Sequence, residues 1–455
     1  MIDLRQLRED PDRFRAGAAA KRIRVDIDRL LVLDTELRQA VSEREALTAE
    51  KNRLGKQIGP LMGRLKKADE ATRATLEAEV ADLQARSVEV KRQEAAAAEP
   101  IAALEAQRRA LWLAVPQPPD PDVPAGTDET DNVELDRWDP DGWDSSRSFA
   151  ENRGFEPRSH EQICRDLGLV DFERGTKISG ARSYVLTGDG MRLHQAVLRL
   201  AFDFMTEEQG FVPLSAACLV RHDALEGTGF FPGGRDQVYD VANPTSEEGA
   251  ALTGTGEVGL MAFHAGEILD PATLPRTYTT VSTCFRREAG AAGRDTAGLY
   301  RIHQFDKVEQ VVICEADEAA SRDWHRRMIG FVQTLLKRLE LPHRLLQCCT
   351  GDLGLKNADM VDVECWMPSR NGYGETHSAS RLYDFQTRRL NLRYRDPADP
   401  KGKRTRFCHS LNNTVAASPR LLIPLLEMHQ QADGTIRVPE ALRPHLHGRS
   451  VLGSA

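Results

Sequence analysis

The chain contains no stretch of about 18 uncharged apolar residues, the length that a membrane-crossing helix needs, so a helical span is excluded. Its opening residues, MIDLRQLREDPDRF, lack the apolar core of a secretion signal, and the expected location is the cytoplasm. The eight cysteines (164, 218, 284, 314, 348, 349, 365 and 408) include no CxxC pair and no Cys/His ladder of zinc-finger spacing. They read as reduced, packed thiols and not as a zinc ribbon. An excess of positive charge is also missing. The formal net charge is −8, which argues against an indiscriminate nucleic-acid binder but leaves room for a local basic surface that contacts RNA. Internal repeats and low-complexity tails are absent as well.

The 455 residues exceed one ordinary core and predict about two or three domains. From about Asp26 to Trp112 the composition turns to Ala, Glu, Arg, Lys and Gln with almost no aromatics. Two heptad runs lie inside that region. The first passes through Leu33, Leu37, Ala40, Arg44, Leu47, Lys51, Leu54 and Ile58, with Leu30 leading in. The second passes through Leu76, Val80, Leu83, Ser87, Val90, Glu94, Ala97, Ile101, Leu104, Arg108 and Leu111.

A 3.5-residue spacing gathers these side chains into one narrow stripe per helix, and such a stripe must pack on a partner. Gly55, Gly59, Pro60 and Gly63 lie between the runs, so the chain is expected to reverse there into an antiparallel hairpin over about 27–112. Helices of roughly 40 residues give an arm about 60 Å long, and Pro100 should bend or break the second helix. On pattern alone the hairpin is either a dimerisation coiled coil or an arm for reaching; polar seam positions (Arg44, Lys51, Glu94, Arg108) suit the second.

The expected domains are residues 1–114 with the hairpin, a Pro-rich acidic linker at 115–135, and a mixed α/β domain at 136–455. In the last of these, CFRREAGAAGRDTAGLYRIHQFDKVE, residues 284–309, carries the most chemistry. Residues two apart on a strand share a face, so Arg286 and Glu288 can address one ligand. A guanidinium offers a fixed fork of donors to phosphate or carboxylate, and Phe305 can stack on a flat base. The segment is either an anion and nucleotide pocket or a charged hairpin held by ordinary ion pairs.

Over its whole length this segment resembles motif 2 of class II aminoacyl-tRNA synthetases in the seryl form, FRxEAGxxGRDTxGLxRxHQFxKVE. LTGTGEVGL (252–260) is similar to that family's serine-specificity segment, GETHSASRLYDFQTRRLNLRYR (374–395) to its ExxSxSxxxDFQxRR stretch, and HSLNNTVAASPRLLIPLLE (409–427) to motif 3. The resemblance spans nearly the whole chain. It implies an α/β (α+β) fold: a two-helix arm, then a catalytic domain built on an antiparallel sheet flanked by helices. It also implies a homodimeric ligase that activates L-serine with ATP and Mg²⁺ and passes it to the 3′ end of tRNA(Ser), with tRNA(Sec) left open as a second acceptor.

Carried over residue by residue, the resemblance implies that Arg286 holds the α-phosphate, with Glu288 beside it and Arg420 against the adenine or the γ-phosphate, as the catalytic set. Phe305 would stack under adenine and Arg301 would reach the outer phosphates. Arg287, Ile302, Thr376 and His377 complete the implied ATP site, in which Glu375 and Ser378 supply oxygen ligands to Mg²⁺. Serine's ammonium would be met by Glu257 with Thr255 and Gly256, and its hydroxyl by Glu309 and Thr414, supported by Asn412. On the arm, Arg44, Lys51, Arg53, Lys56, Arg64, Lys66, Lys67, Arg86 and Arg92 are candidate phosphate contacts for the long extra stem of the tRNA.

Two departures stand out. Ala217 occupies the place of the motif 1 proline, with Pro213 nearby, and Val415 and Pro419 replace glycines in motif 3. They leave open a paralogue that seryl-charges another acceptor, or a catalytically silent RNA-binding homologue.

Overall fold

The structure, a computed structural model, describes residues 1–245, 247, 249–290 and 298–453; residues 291–297 of the 284–309 segment lie outside the described residues. The chain forms two compact units, one of residues 4–11 and 24–115 and the other of 1–3, 12–23 and 116–455.

The first unit is built on α1 (Ile27–Leu65), α2 (Glu70–Ala96) and α3 (Ala98–Ala114). Asp26 and Asp69 cap α1 and α2 by accepting from the backbone amides of Arg29 and Thr72. Leu54 and Leu61 of α1 bury against Leu76, Val80 and Leu83 of α2. Polar seam positions find partners across the seam. Lys51 pairs with Glu94, which also accepts from Thr48 Oγ1 at 2.8 Å. Asp34, 2% exposed, takes Arg8 at 2.8 Å and Arg108 at 3.0 Å. As the index falls along α1 it rises along α2 and α3, so the helices run antiparallel.

Two expectations need correction. The reversal falls at residues 66–69 and not in the Gly/Pro stretch, because α1 continues through Gly55, Gly59, Pro60 and Gly63 to Leu65. The apolar stripe runs on through Ile58, Leu61 and Leu65, and its packing outweighs the local cost of glycine and proline. The helix break expected at Pro100 falls at Ala97, which places the proline in the first turn of α3, where a missing amide costs no helical hydrogen bond.

The second unit is organised by an eight-stranded sheet. Its strands are β1 (Val133–Trp138), β2 (Val212–Pro213), β3 (Arg276–Phe285), β4 (Gln304–Cys314), β5 (His343–Gln347), β6 (Asp359–Met367), β7 (Gly372–Tyr383) and β8 (His409–Ser418). The order is β1-β5-β6-β7-β8-β4-β3-β2, antiparallel throughout except for the short edge pair β2·β3. Four helices frame it further: α4 (His160–Asp166), α5 (Gly188–Asp203), α6 (Glu257–Ala262) and α7 (Glu318–Arg338), with α8 (Leu422–Met428) after β8.

Alternation along the strands sends Val308, Val312, Val361, Val363, Ala379 and Leu411 into one core with Leu193, Val197, Met328 and Val332 of α5 and α7. That leaves the polar residues of the same strands on the opposite face. The segment expected to be a linker is docked on this unit. The amides of Gln117 and Asp120 donate to Leu355 and Ala358 carbonyls, and buried Asp120 pairs with Arg381 and accepts from Tyr383 Oη at 3.0 Å. Its prolines keep it extended, but buried partners fix its path.

Candidate active site

Strands β3 and β4 place Thr280, Ser282 and Cys284 opposite Glu309, Lys307 and Phe305, all on the face turned away from the main core. Arg286 follows β3 directly. Its guanidinium lies 5.2 Å from the Phe305 ring centre, and its Nε donates to the Gly254 carbonyl at 3.3 Å. Glu288, in the left-handed region at φ +52°, accepts from Arg301 Nη1 at 2.9 Å. Arg420, at the end of β8, donates through Nε to the Tyr300 carbonyl at 3.1 Å and lies 4.5 Å over the Tyr300 ring. These side chains line a cleft shared with Glu375, Thr376, His377, Ile302, Lys307 and Thr414.

Deeper in, Lys307 joins the cleft to a buried polar cluster. Its ammonium donates to Thr255 Oγ1 at 2.8 Å and pairs with Glu309. Asn412 Nδ2 donates to Glu309 Oε1 at 3.1 Å and Lys307 takes Glu309 Oε2, while Asn412 Oδ1 is buried with no hydrogen-bond partner among the described residues. An unsatisfied buried acceptor is costly, so the Asn412 corner is prepared for a ligand that brings a donor. Gly256 is required there, since a Cβ would stand 2.6 Å from Thr280 Cγ2 and 2.8 Å from Ser282 Oγ. Glu257, 2% exposed, is held by Lys356 Nζ at 2.5 Å and by Gln386 Nε2 at 2.6 Å.

A bulge in β7 shapes the other side. Val363 pairs with His377 and Glu364 with Glu375, so Thr376 is the extra residue, and Glu375 and Ser378 come to the same face although they are three apart. Asp362 pairs with Ser378 across the strands, and its Oδ1 is buried without a hydrogen-bond partner among the described residues. Burial, and then the Glu375 carboxylate, hold the Asp362 acid well above the usual carboxylate range. An orphaned carboxylate oxygen beside a second carboxylate and a hydroxyl is a hard-oxygen set, and it fits a divalent cation such as Mg²⁺. Glu375 stands 3.6 Å from Arg420 Nη1 and remains 46% exposed towards the cleft.

Of the expected residues, Arg286, Glu288, Arg301, Ile302, Phe305, Glu375, Thr376, His377, Thr414 and Arg420 line the cleft. Thr255, Glu309 and Asn412 join it through Lys307, while Arg287 and Ser378 are not among its lining residues. The His377 ring is tied to Thr376 Oγ1 at 2.8 Å and the Val415 carbonyl at 3.1 Å, and burial pushes its pKa down to about 3. It therefore stays neutral and acts as a brace. Lys307, Tyr300, Lys356 and Gln386 escaped the sequence reading. Lys307 was recoverable, because it sits two residues from both Phe305 and Glu309 on one strand. The other three meet the site through the fold.

Residues 1–117 match the seryl-tRNA synthetase N-terminal domain and residues 239–429 the tRNA synthetase class II core domain (G, H, P, S and T). The serine–tRNA ligase of Deinococcus radiodurans is 43% identical, with 100% of this chain and 99% of that protein aligned. That of Cutibacterium acnes is 40% identical, with 99% of each chain aligned. The seryl-tRNA synthetase of Pyrococcus horikoshii, solved with ATP, superposes with a TM-score of 0.82 at 33% identity, covering 99% of both chains. The cytoplasmic enzyme of Naegleria fowleri, solved with AMP, gives 0.79 at 26% identity over 97% of this chain and 95% of that one. The chain belongs to the seryl-tRNA synthetase family.

Proposed function

We propose that this protein activates L-serine with ATP, forming seryl-adenylate and pyrophosphate, and transfers the seryl group to the 3′ end of tRNA(Ser). The observation that carries the amino-acid specificity is the buried cluster of Glu309, Asn412, Lys307 and Thr255 beside an arginine-lined cleft, in which Asn412 Oδ1 is left without a partner among the described residues. A small amino acid seated there brings an ammonium and a hydroxyl as donors, and its carboxylate points towards Arg286. A site built to bond a hydroxyl rejects alanine by roughly 10⁴-fold in comparable cases, since its polar groups are otherwise left unpaired.

ATP occupies the cleft with its adenine at Phe305. The aromatic face is freed when the Arg286 guanidinium leaves it for the α-phosphate. Arg420 and Arg301 serve the outer phosphates from the opposite wall. Mg²⁺, when bound, neutralises phosphate charge, and Glu375 and Ser378 with Asp362 behind them would hold it. Serine's carboxylate oxygen attacks the α-phosphorus and pyrophosphate departs; a terminal ribose hydroxyl of the tRNA then takes the acyl group and AMP leaves. Positioning and charge stabilisation do this work, without a protein nucleophile.

The hairpin grips the RNA. Lys51, Arg53, Arg86 and Arg92 are already ion-paired within the arm. Lys56, Arg64, Lys66 and Lys67, near the reversal, make no salt bridge among the described residues and are the ones available to phosphates. The catalytic unit pairs with a second copy through the β2–β3 edge, where Val212, Leu219, Phe263 and Val281 are between 44% and 57% exposed beside a 560 Å³ cavity lined by Leu214, Ala216 and Ala217. Sedimentation velocity is expected to give the dimer mass.

No helix among the described residues is long and apolar enough to cross a membrane. The cytoplasm, where ATP and tRNA meet, is the inferred place of action. Pyrophosphate exchange tests the chemistry: Arg286→Ala or Glu375→Ala should abolish serine-dependent exchange in a folded protein, and near-normal exchange in either variant would refute the assigned roles.

A further inference from the structure

Glu427, on α8, is fully buried and is not among the residues lining the cleft, yet its carboxylate collects four donors. Oε1 accepts from the His160 amide, His160 Nδ1 and Ser369 Oγ, each at 2.8 Å, and Oε2 accepts from the Ser369 amide at 2.9 Å. On its far side His160 Nε2 lies 3.2 Å from the Leu299 amide nitrogen. An amide N–H can only donate, so Nε2 must be the acceptor and the ring proton sits on Nδ1, directed at Glu427.

Leu299, 0% exposed, begins the segment that returns the chain to the cleft. The residue before it, Gly298, has φ +75°, and a Cβ there would stand 2.3 Å from His160 Nε2, so the imidazole is a hard stop against which the returning chain lies. Next in the chain come Tyr300, whose carbonyl accepts from Arg420 Nε, and Arg301, which pairs with Glu288. The other two arms of the junction lead to the same place. Ser369 precedes Arg370, whose guanidinium lies 3.9 Å over the Tyr300 ring, and α8 begins two residues after Arg420.

We propose that His160 and Glu427 are positioning residues for ATP. One buried carboxylate and one imidazole of fixed tautomer lock together the three segments that carry Tyr300, Arg370 and Arg420, and so set the nucleotide side of the cleft while leaving the Glu309–Asn412 side untouched. The proposal rests on the reading of this cleft as the ATP site. Neither residue touches substrate; both act through the backbone of 298–301 and through Arg420.

The experiment measures the Kd for ATP by calorimetry without amino acid, and then the KM for ATP and for serine in pyrophosphate exchange, on the wild type, H160A, H160Q and H160N. Glutamine can present an amide oxygen where Nε2 stands; asparagine can still serve Glu427 but is too short to accept from Leu299. H160A and H160N should weaken ATP roughly tenfold, as expected for a lost buried hydrogen bond, with the KM for serine held within about twofold and H160Q recovering most of the loss. Unchanged ATP affinity in H160N, an equal loss for serine and ATP, or H160Q no better than H160A would each overturn the proposal. If H160A does not fold, H160N and H160Q decide. Because the calorimetric arm contains no amino acid, it separates failure of this inference from failure of the serine assignment: a wild type that binds ATP but exchanges with no serine contradicts only the latter.

Discussion

At the residue scale, the decisive feature is a buried acceptor, Asn412 Oδ1, that the described residues do not satisfy. Asn412 gives its donor to Glu309 and keeps its oxygen unpaired, so its value lies in what a ligand brings. Asn412→Ala should raise the KM for serine about tenfold and leave that for ATP unchanged; a larger effect on ATP would mean that this corner belongs to the nucleotide. Charge balance explains the neighbours. Lys307 neutralises Glu309 in a buried place, and Lys356 does the same for Glu257, so neither carboxylate faces the substrate as a bare charge. The sequence pointed to Glu309 and Glu257 through motif resemblance, and to Phe305 with Arg286 through chemistry. It could not point to Lys356 or Gln386, which lie about 100 and 130 positions from Glu257 and reach it through the fold alone.

At the element scale, periodicity carried the arm and bulges carried the site. A heptad stripe is a local signal, so the two runs were readable, but the place where the chain reverses depends on how far the stripe still finds a partner. Here it finds one through Leu61 and Leu65, beyond the glycines and Pro60. The β7 bulge that brings Glu375 and Ser378 to one face has no mark in the sequence, because it is defined by register against β6. The arm's contribution is testable by charge. Replacing Lys56, Arg64, Lys66 and Lys67 together with alanine should leave pyrophosphate exchange intact, raise the KM for tRNA, and flatten the dependence of tRNA affinity on salt by up to about four phosphate contacts. Unaltered tRNA binding in that variant would remove the tip from the interface.

At the scale of the whole molecule, the fold separates two tasks. A sheet that buries one face against α5 and α7 leaves its other face for a polar cleft, and a helical hairpin rich in charged residues serves another purpose than core formation. The helical arm was legible from its heptad spacing, whereas the docking of residues 116–132 on the catalytic unit was not. Prolines and acidic residues read as a linker until Arg381 and Tyr383, more than 260 positions away, take up Asp120.

The central claim is that one cleft bends ATP towards a hydroxy amino acid held by Glu309 and Asn412. The measurement that tests it most directly is ATP–pyrophosphate exchange by the purified protein with each of the twenty amino acids in turn. The account predicts robust exchange with L-serine, with alanine suppressed by roughly 10⁴-fold. No exchange with serine, or faster exchange with another amino acid, would contradict it.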